Sequence, residues 1–139
     1  MAKYDKLDKD ELLKKAKGSL LTKEFDVPEW QTTVRIKELT GLERGRYERS
    51  IMSIDRKSGN IVPELTHARA RLVSMCLVDD NGNRMFTDSD EDLLTLGNLP
   101  SKGLDRIYEA AQELSGLGED ETDEAVENFG SASKSSTSG

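Results

Sequence analysis

The chain has 139 residues, 35% hydrophobic and 34% charged, with 27 acidic against 20 basic side chains and a net charge of −7. That length makes one domain with a modest core, and its apolar runs are far shorter than the roughly 20 residues a membrane helix needs. One cysteine, Cys76, excludes an internal disulfide or a multi-thiolate metal site, and MAKYDKLDKD holds no secretory segment, so a cytosolic protein is expected.

In chain order, residues 1–18 read as a helical or frayed segment. Asp8 to Lys17 is charged and helical in propensity, ends at Gly18 and carries a thin stripe of Leu7, Leu12 and Leu13. Residues 19–117 read as a single α+β domain. Glu24-Phe25-Asp26-Val27 alternates as a strand, Pro28-Glu29 turns the chain, and Trp30 to Lys37 forms a second strand, with Val34 and Ile36 on one face and Arg35 and Lys37 on the other. Thr40 and Glu43 form a capping box that starts a helix. Tyr47, Ile51 and Ile54 at helical spacing carry it to about Arg56, before Ser58-Gly59-Asn60.

Val62-Pro63-Glu64 is expected to open a second helix, with Leu65, Ala68, Leu72, Met75 and Cys76 along one side, widened by Val73 and Leu77. It is the most hydrophobic helix and the expected centre of the core. Residues 77–86 read as a second short hairpin turning at Asn81-Gly82. Thr87 to Asp90 caps a helix with Leu93, Leu94 and Leu96 on its apolar side, closed by Gly97. Ser101 caps the last helix, in which Leu104, Ile107, Tyr108, Ala111 and Leu114 give the clearest amphipathic pattern of the chain.

From about Leu117 the composition becomes that of a disordered tail. Residues 119–139 hold six acidic side chains against Lys134 alone, so −5 of the net charge lies there and −2 on the body. Residues 118–139 are acidic, then rich in Ser and Gly. Ala125, Val126 and Phe129 could form a short binding helix. The expected fold is therefore α+β: an N-terminal β-hairpin packed on a small bundle of mostly short helices, a second short hairpin near 77–86, and a disordered C-terminal tail.

No arrangement of residues points to catalysis, and no cofactor or metal is expected. With Gly82 as the sixth position of a calcium loop, the first falls on Leu77 and the twelfth on Asp88, so the register fails. His67 is the only histidine, Cys76 has no histidine nearby in sequence, and no glycine-rich phosphate loop exists. Arg35, Lys37, Arg44, Arg46, Arg49, Arg56 and Lys57 concentrate positive charge, interleaved with Glu38, Glu43 and Glu48. Those acids can neutralise the concentration as an ordinary surface; the alternative reading is a small nucleic-acid-binding regulator using the basic face around residues 35–57. The acidic balance makes nucleic acid an unfavourable partner.

Asp26-Val27-Pro28-Glu29-Trp30 followed by Val34-Arg35-Ile36-Lys37-Glu38-Leu39-Thr40-Gly41-Leu42-Glu43-Arg44 resembles the tail assembly chaperones of long-tailed bacteriophages. Leu77 to Gly82 with Met85-Phe86-Thr87, and Leu104 to Ala111 with Leu114, agree in order, so the likeness runs from about Phe25 to Leu117. Gln31-Thr32-Thr33 departs from the small, often glycine-containing turn of that family.

The resemblance implies a non-enzymatic protein of the host bacterial cytoplasm that binds the tape measure protein and keeps it soluble. Tail tube protein then polymerises around that client, and the chaperone is absent from the mature virion. It also implies self-association and a longer product made by ribosomal frameshifting, whose added segment engages the major tail tube protein. Trp30, Val34, Ile36, Leu39 and Leu42 are the candidate contacts for an apolar client surface; the same residues, Val34 and Ile36 above all, fit the core equally well, since one face of a strand normally packs inward.

Overall fold

The computed structural model describes residues 3–117. Helix α1 (Lys9–Lys17) is capped by Asp8, whose carboxylate accepts the Glu11 amide at 2.9 Å. It buries no residue, and Leu12 and Leu13 stay exposed. Strands β1 (Thr22–Val27) and β2 (Thr32–Lys37) then pair antiparallel, Thr22 opposite Lys37 and Val27 opposite Thr32.

Pro28 begins a 3-10 turn, Pro28–Trp30, closed by the Gln31 amide donating to the Pro28 carbonyl at 3.1 Å. Gln31 takes a left-handed φ of 50°, the only non-glycine to do so among the described residues. Trp30 therefore belongs to the connection and does not open the second strand as expected. The left-handed residue after it breaks strand geometry, and pairing starts at Thr32.

The Thr40–Glu43 capping box forms in both directions and starts α2 (Gly41–Ser50). The expected continuation to Arg56 does not occur. The helix stops at Ser50, and β3 (Met52–Ile54) pairs with β4 (Ile61–Pro63), placing Ile54 opposite Ile61. Asp55 organises the intervening turn by accepting from Ser58 and from the Lys57 amide, and Gly59 supplies a φ of 73°. Tyr47 and Ile51 are buried, but Ile54, which helical spacing would have kept on their stripe, is 70% exposed.

Because Ile61–Pro63 is strand, the next helix opens later than Val62. Helix α3 (Ala68–Cys76) begins after Leu65, which is exposed, and is buried along most of its length. It is the central helix, packed against α4 (Asp90–Gly97), α5 (Ser101–Leu114) and α2. Strand β5 (Leu77–Val78) leaves it directly and joins the far edge of β2, giving the order β1-β2-β5. The expected 77–86 hairpin turns at Gly82, φ 82°, and its return limb pairs through one bridge, Val78 to Arg84.

Ser89 caps α4 by accepting the Asp92 amide at 3.2 Å. Leu93 and Leu96 are buried, whereas Leu94 faces out at 57% exposure. Ser101 is the first residue of α5 and makes no cap, since Pro100 holds the N-cap position. Leu104, Ile107 and Ala111 of α5 close the core over Val27 and Ile36 from the hairpin and Leu72, Val73 and Cys76 from α3. Burying each large aliphatic chain stabilises the fold by about 1.5–3 kcal/mol. Leu117 is also buried and belongs to this core, not to a tail. The expected disorder of 118–139 and the short helix at Ala125, Val126 and Phe129 lie outside the described residues.

Candidate functional site

The hairpin, β5 and the start of α5 enclose an open groove of about 520 Å³. Its apolar lining includes Trp30, Val34, Met85, Phe86, Leu99 and Leu104. Gly103 allows the Trp30 indole to lie directly on α5, where a Cβ would stand 2.6 Å from Cζ2 and Nε1. Beside that contact, Arg106 of α5 donates from Nε to both Glu29 carboxylate oxygens at 2.9 Å and clamps the hairpin connection. The Arg106 hydrogen bond holds the Glu29 carboxyl below its ordinary 4.5.

The facing side is built by the 79–87 turn. Asp79 accepts the amides of Asn81 at 2.8 Å and Asn83 at 3.0 Å, and the Met85 amide returns to the Leu77 carbonyl at 3.2 Å. Asp92 accepts the Thr87 amide and hydroxyl, which lowers its pKa and fixes the exit of Phe86 toward α4. Met85 is left 57% exposed.

The one arginine at the polar edge of the groove is neutralised internally. Arg35 donates to Glu24 from Nε at 2.9 Å and to the Asp80 carbonyl at 2.8 Å, with a further contact from its second terminal nitrogen to Glu24. Such a groove can take up an apolar side chain, with the Asp80 carboxylate at its rim. Elsewhere, burial pushes the Cys76 thiol up to about 12, the opposite of a nucleophile's environment. His67 lies exposed at the start of α3, and no cluster of three metal-ligating side chains occurs among the described residues.

Residues 9–128 match the family model of the phage tail assembly chaperones. The chain belongs to that family. No curated protein and no solved structure matches it. The chaperone thus acts in phage tail assembly, a non-enzymatic role, and no helix among the described residues is long and apolar enough to cross a membrane.

The chaperone's five candidate contact residues fall in three different environments. Trp30 and Val34 line the groove, both half-buried. Ile36 and Leu39 are buried in the core behind it; the Leu39 amide donates to the Ser115 hydroxyl at 3.1 Å. Leu42 stands 65% exposed on the first turn of α2, outside the groove. Met85, Phe86 and Leu99 also line the groove and were not among the candidate contacts. Their one signal is that Met85 and Phe86 follow a turn and lead into a capped helix, where an apolar pair has no helical or strand partner of its own.

The basic concentration is also divided. Arg35 is consumed by Glu24 and Asp80, Lys37 by Glu43 at 2.7 Å, and Arg44 by Glu48 at 3.4 Å. Burial pushes the Glu43 carboxyl up, but Lys37 and the Thr40 amide outweigh it and hold it below 4.5. Arg46, Arg49 and Arg56 form no ion pair among the described residues.

Proposed function

We propose that this chaperone binds the tape measure protein through the hairpin–α5 groove, keeps that long client soluble, and helps recruit the major tail tube protein during tail morphogenesis. The observation that carries the reading is a preformed apolar groove whose one arginine, Arg35, is already paired. A client's apolar side chain can enter it without stranding the Arg35 guanidinium.

Trp30 and Val34 supply contact area within the groove, Ile36 and Leu39 hold it from behind, and Leu42 offers a second apolar point on α2. Self-association lets several copies coat an elongated partner. A longer frameshifted product carries the segment that meets the tube subunit. The work is done in the host bacterial cytoplasm, and the chaperone is absent from the finished particle.

Co-expression with the tape measure protein tests the reading. Met85→Glu and Leu42→Glu change exposed side chains, so the variants keep the wild-type fold by circular dichroism. The expected result is loss of soluble client with Met85→Glu and a smaller loss with Leu42→Glu. If both variants keep the client as soluble as the wild type does, the groove is not its binding site.

A further inference from the structure

A second groove, of about 760 Å³, lies between α2 and the β3–β4 hairpin, lined by Gly45, Glu48, Arg49, Met52, Ile54 and Ile61 among others, with the Glu48 charge held by Arg44 at 3.4 Å. Three observations set it apart. First, Ile54 and Ile61 face each other across the strand pair yet are 70% and 42% exposed, an apolar pair left in water. Second, Gly45 stands in the middle of α2 with nothing within 4 Å of where its Cβ would be. A mid-helix glycine costs about 0.5–1 kcal/mol relative to alanine. No neighbour within the described fold requires it, whereas it would let another backbone approach closely. Third, Arg49 lines the groove, with Arg46 close by on the same helix and Arg56 in the β3–β4 turn, and none of the three is ion-paired among the described residues.

We propose that this groove receives the chain's own segment 119–129. That segment holds six acidic side chains and no basic one, together with Ala125, Val126 and Phe129, so it complements both the free arginines and the exposed isoleucines. The family match extends to residue 128, which makes the segment part of the shared pattern and not an appendage. Its starting point also suits the site. Ser115, two residues before the last described one, accepts the Leu39 amide immediately ahead of α2. Helix α2 is about 15 Å long at 1.5 Å per residue. The twelve residues 118–129 span up to about 40 Å when extended, enough to pass along it. The segment then covers the second apolar surface by charge pairing and side-chain burial, while the hairpin–α5 groove stays open to a client.

Paramagnetic relaxation in the full-length chain tests this. Ser131→Cys is labelled with a nitroxide; Cys76 is buried with a raised thiol pKa and does not compete at neutral pH. The methyl signals of Met52, Ile54 and Ile61 are expected to vanish with the oxidised label and return on its reduction. Phe129→Asp with Val126→Asp should restore them in the oxidised state, as should Arg46→Glu with Arg49→Glu, both of which alter exposed side chains of α2. In a mixture of labelled unenriched chains and unlabelled enriched ones, the signals should persist. Unbroadened signals in the first sample would overturn the proposal, as would loss of the signals in the mixture, which would mean that the segment docks on a second copy. Loss confined to Met85 and residues of the first groove would overturn it as well. Solubility of the tape measure protein is scored separately, so failure here leaves the client reading standing.

Discussion

Two hairpins in this chaperone share the same elementary geometry and differ in what covers them. The β1–β2 hairpin buries Val27 and Ile36 completely, rests its Trp30 on Gly103, and is clamped through Glu29 to Arg106. The β3–β4 hairpin makes three residue pairs and leaves Ile54 and Ile61 in solvent. Cross-strand hydrogen bonds exist in both, so pairing is not what separates them. An isolated two-stranded hairpin is marginal in water, and the first is stable because one of its faces is core. The second relies on its attachment to α2 and on the Asp55 turn. The comparison assigns them different work, the first to build a fixed groove and the second to present a surface.

The largest effect that sharpens this contrast is Ile36→Ala, which should cost about 2–5 kcal/mol in urea unfolding, whereas Ile54→Ala, covered only by the docked segment, should cost about 1 kcal/mol or less. Equal losses at the two positions would erase the distinction. Gly103→Ala comes next. Its methyl group displaces the Trp30 indole, for an expected loss of about 1–3 kcal/mol and a red shift of tryptophan emission as the ring moves toward water.

Smaller, and opposite in sign, is Gln31→Gly. Relieving a left-handed non-glycine residue should raise stability by up to about 1 kcal/mol, read as a higher denaturation midpoint at unchanged slope. The smallest effect is a pH dependence. Because the folded-state pKa of Glu29 lies below 4.5, the clamp contributes fully above that value and is lost as pH falls through the depressed folded pKa. Glu29→Gln should flatten that part of the acid unfolding curve, and an unchanged curve would show that the clamp carries no stability.

Local chemistry made much of the fold readable. The Thr40–Glu43 box, the Pro28 corner, the α4 cap at Ser89 and the amphipathic run of α5 are each written in a few adjacent residues, and each forms where expected. The misreading of 51–63 has a definite cause. Tyr47, Ile51 and Ile54 fit a helical repeat, but β-branched residues on both sides of Asp55–Asn60 fit a hairpin equally well. The turn outweighed the repeat because Asp55 closes it with Ser58 and Gly59 accepts a positive φ.

The candidate contacts divide for a similar reason. Alternation placed Val34 and Ile36 on one face, but depth along that face depends on where α5 and the 79–87 turn end, and neither is encoded in β2 itself.

By itself the sequence determined the class of fold and the central apolar helix, because propensities, caps and hydrophobic periodicity act over a few residues and survive without context; the kinship with tail assembly chaperones rests instead on the likeness of whole segments in order. Only tertiary packing decided which apolar residues became core and which remained surface. Ile36 is sealed by elements distant in the chain, whereas Ile54 ends on a hairpin that no described element covers. Burial is a property of neighbours, and neighbours far apart in sequence are fixed by the fold as a whole.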